Sequence, residues 1–148
     1  MEWITFSYSL SARSSSLRVA VWRQLKRVGA ISLAGGVYVL PLREDCLEAF
    51  MWLAQQVRQA GGEALVIRAG QFEGLTDQEV IVQFRQARQE DYVTLNAQAA
   101  QLAETLAQHS EMEGRLALKD ELERLQKQHA EIARIDYFEC PERAALAT

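Results

Sequence analysis

Residues 18–41 read RVAVWRQLKRVGAISLAGGVYVLP, and this stretch decides the fold because two periodicities meet in it. Leu17, Val21, Leu25 and Val28 recur at spacings of four and three, which makes one apolar stripe on a helix. Ser14-Ser15-Ser16 supplies N-cap residues before the stripe, and Gly29 supplies a stop after it. Two short β-favouring runs follow, Ala30 to Ala34 and Val37 to Leu40, around the two-glycine turn Gly35-Gly36, with Pro41 closing the second. The spacing predicts a helix that runs into a β-hairpin. No acidic residue occurs between Arg18 and Pro41.

Outward from this stretch, Trp3-Ile4-Thr5-Phe6-Ser7-Tyr8-Ser9-Leu10 is rich in aromatic and β-branched residues and reads as a first strand. On the other side, Arg43-Glu44-Asp45 opens a second helix with acids in its first turn, where they suit the dipole. Leu47, Phe50, Met51, Ala54 and Val57 form its expected buried face, and Gly61-Gly62 stops it. Ala64-Leu65-Val66-Ile67 is a short apolar run, read as a further strand. The order is β-α-β-β-α-β within residues 1–72. That is the split-βαβ pattern of a ferredoxin-like α+β domain, an antiparallel sheet with two helices on one face.

From Thr76 the period changes. Thr76-Asp77-Gln78-Glu79 is a capping-box pattern ahead of a long helix carrying Tyr92, Leu95, Ala99, Leu102 and Leu106 three and four apart. A second series, Leu118, Leu122, Leu125, His129 and Ile132, repeats that alternation after another S-x-x-E cap at Ser110 and Glu113. Residues 73–148 are therefore expected to form a C-terminal antiparallel helical hairpin with a heptad-like seam and a short Ala-rich tail, packed with the first domain as one unit.

The chain has 148 residues, of which 49% are hydrophobic and 24% charged, so it can bury a core and is not disordered as a whole. Its net charge of -4 conceals an asymmetry. Residues 1–43 carry six basic side chains against Glu2 alone, whereas residues 44–148 carry ten against nineteen acids. The acidic total argues against bulk nucleic-acid affinity, but a basic patch on one element can still make a local footprint. Cys46 and Cys140 are lone thiols far apart in sequence, which suits a reducing cytoplasm. No leader pattern and no apolar run of membrane-spanning length is present, so a cytoplasmic protein without a membrane partner is expected.

The first helix carries the main candidate site. Arg23, Lys26 and Arg27 sit opposite the apolar stripe, with Arg18 and Trp22 on the flank and Arg13 just before the serines. One reading is phosphate contact with double-stranded DNA, with the indole adding stacking. The plainer reading is a solvated face whose cations pair with acids of the C-terminal helices. The Ser14–Ser16 helix start between Arg13 and Arg18 also suits a small oxyanion, though serines there are more often plain caps.

Catalytic and metal chemistry find no footing. His109 and His129 stand at no ligand spacing from a cysteine, and His129 falls in the seam as a register-setting polar residue. G-x-S-x-G, Walker and H-E-x-x-H patterns are missing. Glu44-Asp45 and Glu90-Asp91 diverge by about a hundred degrees on a helix and read as surface residues. No catalytic residue, metal or cofactor is expected.

In combination, several segments resemble the N-terminal domain of the chromate-resistance regulator ChrB. They are Arg18, Trp22-Arg23-x-Leu25-Lys26, Gly29-Ala30, Gly36-Val37-Tyr38-x-Leu40-Pro41, the stretch from Leu47-Glu48 to Gly61-Gly62-Glu63-Ala64, and Arg134-x-Asp136-Tyr137-Phe138 with Pro141. The resemblance implies a DNA-binding transcriptional regulator of a chromate-efflux operon, or a truncated accessory protein that lacks the family's second domain. It implies double-stranded DNA as partner, with Arg13, Arg18, Trp22, Arg23, Lys26 and Arg27 as contacts. It also implies a homodimer or a separately encoded chromate-resistance domain as protein partner. A non-enzymatic dimerisation or partner-docking module built on the helical extension is the alternative.

Overall fold

The computed structural model describes residues 1–108 and 112–140, with the side chains of Met112, Glu113 and Arg115 outside the description. His109, Pro141, the Ala-rich terminus and the side-chain cap expected of Ser110 and Glu113 therefore lie outside the described residues. The chain divides into two compact units, Met1–Phe84 and Arg85–Thr148.

In the first unit the elements run β1 (Trp3–Ser9), α1 (Ser15–Arg27), β2 (Ile31–Leu33), β3 (Val37–Pro41), α2 (Glu44–Gln59) and β4 (Glu63–Ala69). The first turns of α3 (Asp77–Gln108) complete it. The sheet order is β2-β3-β1-β4 and every pairing is antiparallel. Central β1 pairs with β3 from Trp3↔Pro41 to Phe6↔Tyr38, and with β4 from Trp3↔Ala69 to Ser9↔Glu63. This is the ferredoxin-like arrangement expected from the element order.

Strand residues alternate between faces, so a strand with four consecutive buried residues must be covered on both sides. Trp3, Ile4, Thr5 and Phe6 are such a run. Ile4, Phe6 and Leu40 share the face on which α2 packs, and the Phe6 and Phe50 rings stand 5.5 Å apart. Val21 and Leu25 of α1, and Leu53, Ala54 and Val57 of α2, are buried with them. On the opposite face the Trp3 indole stacks on Phe84 of α3, with centroids 5.9 Å apart and ring planes within 6°.

The indole N–H of Trp3 donates to Asp77 Oδ1 at 2.9 Å, and the N-terminal ammonium lies 3.1 Å from Asp77 Oδ2. These contacts, the indole bond foremost, hold the Asp77 carboxyl below its ordinary value. At the start of α3 the Glu79 N–H donates to Thr76 Oγ1 at 3.1 Å, which supplies the expected Thr76 cap.

Three local expectations need correction. Met51 is 53% exposed, because the buried stripe of α2 runs through Cys46, Phe50, Leu53, Ala54 and Val57. This helix has more apolar residues than one stripe holds, and packing on the sheet selects the rotation that leaves Met51 and Trp52 outside. The hairpin turn holds three residues, not two: Leu33 pairs with Val37, so Ala34 joins Gly35 and Gly36, whose φ angles are 77° and 75°. Ser14 occupies the cap position of α1 but makes no side-chain cap bond, its hydroxyl lying 3.2 Å from Ser11 Oγ.

Both sheet-unit helices end as their glycines predict. Ala30 N–H reaches Leu25 O at 3.0 Å and Gly29 N–H reaches Lys26 O at 3.1 Å, the paired bonds of a Schellman end. Gly62 closes α2 in the same way, through its bond to Val57 O at 2.9 Å. A Cβ on Gly62 would sit 2.6 Å from Ser9 O and 2.7 Å from Leu10 Cδ2, so the chain can pass under the end of β1 only without a side chain there.

In the second unit α3 continues from Arg85 and is followed by α4 (Met112–Arg134). Tyr92 OH donates to Asp136 Oδ2 at 3.1 Å and the Tyr92 ring lies 5.8 Å from His129, while Arg85 Nε donates to Phe138 O at 3.0 Å. Residues early in one helix thus meet residues late in the other, and the pair is an antiparallel hairpin. Its seam is buried at Tyr92, Leu95, Leu125 and Ile135. Farther along it opens: Leu106 is 53% exposed and Leu122 48%. Two helices bury a seam fully only where a third element closes it, and among the described residues Ile135, Asp136 and Cys140 of the tail do so beside Tyr92.

Candidate nucleic-acid interface

On α1 the stripe centred on Val21 and Leu25 fixes the rotation, since both are 1% exposed. At about a hundred degrees per residue, Arg23 falls opposite the stripe, with Arg27 next to it on one side and Lys26 on the other. Trp22 and Arg18 lie farther round on the Lys26 side, toward the stripe. All five are exposed, as is Arg13 in the preceding turn.

Two of the cations are positioned by neighbours. Arg18 Nη2 donates to Leu10 O at 3.0 Å, tying the helix start to the end of β1. Arg18 also acts on Tyr8, whose hydroxyl pKa is pushed up by burial and by Tyr38 while the guanidinium opposes the rise. The Lys26 ammonium sits 5.1 Å from the centroid of the Trp22 ring, a cation–π contact that leaves the indole half exposed. Among the described residues of the first unit, none of Arg13, Arg18, Arg23, Lys26 and Arg27 has a carboxylate within ion-pair distance.

The face has a boundary. Between α1 and α2 lies a hollow of about 380 Å³ lined by Gln24, Val28, Asp45, Glu48, Ala49 and Trp52. Its two carboxylates make that side unfavourable to an anion, so a phosphate backbone would be steered to the Trp22, Arg23 and Lys26 side. The four exposed cations of α1, with Arg13 in the preceding turn, can contact phosphates, but the arrangement offers no nucleophile or general base. Among the described residues no group of histidine, cysteine and carboxylate side chains could hold a metal ion.

The second unit holds a polar set that the sequence reading missed. Arg88 is 7% exposed and its Nε lies 3.1 Å from Asp91 Oδ2, yet neither Nε nor Nη1 has a hydrogen bond of acceptable geometry. The distance qualifies as an ion pair but the N–H does not point at the oxygen, so the pair is held by charge rather than by a directed bond. Asp136, 6% exposed, accepts from Tyr92 OH and from the backbone N–H of Cys140, which pins the tail. His129 Nε2 is buried without a partner. Arg88 stands four residues before Tyr92, so carrying the Tyr92 series back one turn would have placed it in the seam.

With this geometry in place, the family comparison is decisive: the family model described as Protein ChrB, N-terminal matches residues 18–148. The chain belongs to this family. Membership sets the ChrB-type chain in a chromate-resistance context. No curated protein and no solved structure matches it. The ChrB match begins at Arg18, so Trp22, Arg23, Lys26 and Arg27 fall within it and Arg13 and the whole of β1 fall before it. No described helix is long and apolar enough to cross a membrane.

Proposed function

We propose that the exposed face of α1 binds double-stranded DNA through its phosphates, making the chain a DNA-binding regulator or accessory protein of chromate resistance that acts in the cytoplasm. The observation that carries this reading is the set Arg18, Arg23, Lys26 and Arg27, with Arg13 beside it. All are exposed, and within their unit none has a carboxylate partner among the described residues. Cations that are not neutralised locally are free to neutralise phosphates and release the counterions condensed on the duplex, which is the source of salt-dependent affinity.

The test is retention on duplex DNA across a salt titration. Arg23→Ala, Lys26→Ala and Arg27→Ala together are expected to lower the slope of log affinity against log salt by about 2 to 3. Binding with an unchanged slope in that variant would remove α1 as the contact surface.

A second reading assigns the far ends of α3 and α4 to dimerisation or to docking a separately encoded chromate-resistance domain. It is favoured by the exposure of Leu106, Leu116 and Leu122 beside a seam that is buried elsewhere. Leu106→Asp with Leu122→Asp should abolish capture of such a domain with folding unchanged, and undiminished capture would exclude this surface.

A further inference from the structure

β4 is an edge of the sheet, and its seven residues match the length of central β1, which it pairs from end to end. The other edge, β2, has three residues. Natural edges are protected by shortness, proline, lysine, bulges or a covering element, because a long regular edge is a template for another strand. Glu63-Ala64-Leu65-Val66-Ile67-Arg68-Ala69 has no proline, its charges Glu63 and Arg68 stand toward the two ends, and its register with β1 has no bulge. Leu65 is 54% and Ile67 47% exposed. Ile67 also borders a largely apolar hollow of about 630 Å³ on the sheet face away from α2, with Thr5, Leu33, Val37, Phe72 and Leu75 around it.

We infer that this edge pairs antiparallel with the β4 edge of a second copy of the chain. The strand's own sequence selects that occupant. A twofold axis through Val66 sets Val66 opposite Val66 and places Leu65 of each copy opposite Ile67 of the other, twice, on the same sheet face. Shifting the partner by two residues in one direction would put Glu63 against Ile67, and in the other Arg68 against Val66. Of these three registers only the Val66-centred one sets both Leu65 and Ile67 against a large apolar partner, since the second shift leaves Leu65 opposite Ala69.

The backbone agrees with this pairing. Ala64 O accepts from Arg58 Nη2 at 2.9 Å, so this carbonyl of the edge is already bonded within the chain, and the pairing centres on Val66, which shares the outward-facing set of Ala64 in an antiparallel ladder. The two Val66 residues then exchange both hydrogen bonds, while Leu65 and Ile67 form the close, non-hydrogen-bonded pairs. Such an interface is isologous and closes at two copies. Because the axis is perpendicular to the sheet, both copies of α1 lie on one side of a continuous sheet. The inference does not depend on the DNA reading, but it would give that reading two symmetric basic faces.

Sedimentation equilibrium of the full chain tests it. The expected mass is twice the 16.7 kDa of one chain, falling to one chain's mass in Leu65→Lys and Ile67→Lys while circular dichroism is unchanged. Both sites are exposed, so folding should survive, and Leu106→Asp should leave the dimer intact. A double Leu65→Cys, Ile67→Cys variant should cross-link between copies on mild oxidation, whereas Leu65→Cys alone should not; the native Cys46 and Cys140 are buried. A monomer at all concentrations, or a dimer that survives Ile67→Lys, would overturn the inference. The α1 triple variant distinguishes the two proposals, since it should lose DNA and keep the dimer.

Discussion

The two units use their apolar residues differently. In Met1–Phe84 the central strand is covered on both faces over Trp3 to Phe6, by α1 and α2 on one side and by Phe84 on the other, and Trp3 and Phe6 are completely removed from water. In the second unit, among the described residues, a seam of comparable sequence periodicity is closed where the tail folds over Tyr92, and leucines of the same series lie open at Leu106 and Leu122. The comparison teaches that helical periodicity announces a face, whereas burial requires a third element to cover it. The sheet unit has that element on each side of Trp3 to Phe6, and lacks it at Leu65 and Ile67.

All three tryptophans, Trp3, Trp22 and Trp52, lie in the first unit, so indole fluorescence follows it. Phe50→Ala, at a fully buried ring stacked on Phe6, should cost about 3 to 5 kcal/mol in denaturant unfolding read by that fluorescence. A cost near that of a surface substitution would contradict the sealed core. Tyr92→Phe removes the bond to buried Asp136 and should cost about 1 to 3 kcal/mol, read by helical circular dichroism. Leu122→Ala, at the open end of the seam, should stay within about 0.5 kcal/mol by the same measurement. A larger loss there would mean that the seam is closed after all.

The smallest effect concerns pH. Asp77 is held below its ordinary carboxyl value in the fold, so its contribution is present above about pH 4, the unfolded range. It is lost as pH falls through the lower folded value. Asp77→Asn should flatten the acid limb of the stability curve, and an unchanged limb would assign acid sensitivity elsewhere.

Much of the sheet unit was legible because its signals are short and punctuated. The Trp3–Leu10 run, the glycines at 29 and at 61–62, and the hairpin residues each bound an element, and their order alone selected the topology. The rotation of α2 was not legible, since Met51 and Leu53 satisfy equally plausible stripes until a sheet chooses between them. Arg88 escaped because a charged residue ends an apolar series on paper, while in the fold it occupies the next seam position beside Asp91. The basic residues of α1 could be placed on a face from spacing, yet the acidic hollow at Asp45 and Glu48 that limits that face depends on how α2 packs.

Gly62 carries a practical consequence. The corner between α2 and β4 has no room for a single carbon, so it would refuse an inserted residue, a fused peptide or a dye. The hairpin tip at Gly35 and Gly36 faces open space, and an insertion there, built on a turn of its own, should be accepted with the sheet undisturbed. A fluorophore placed at that tip would report on the chain without touching α1 or β4.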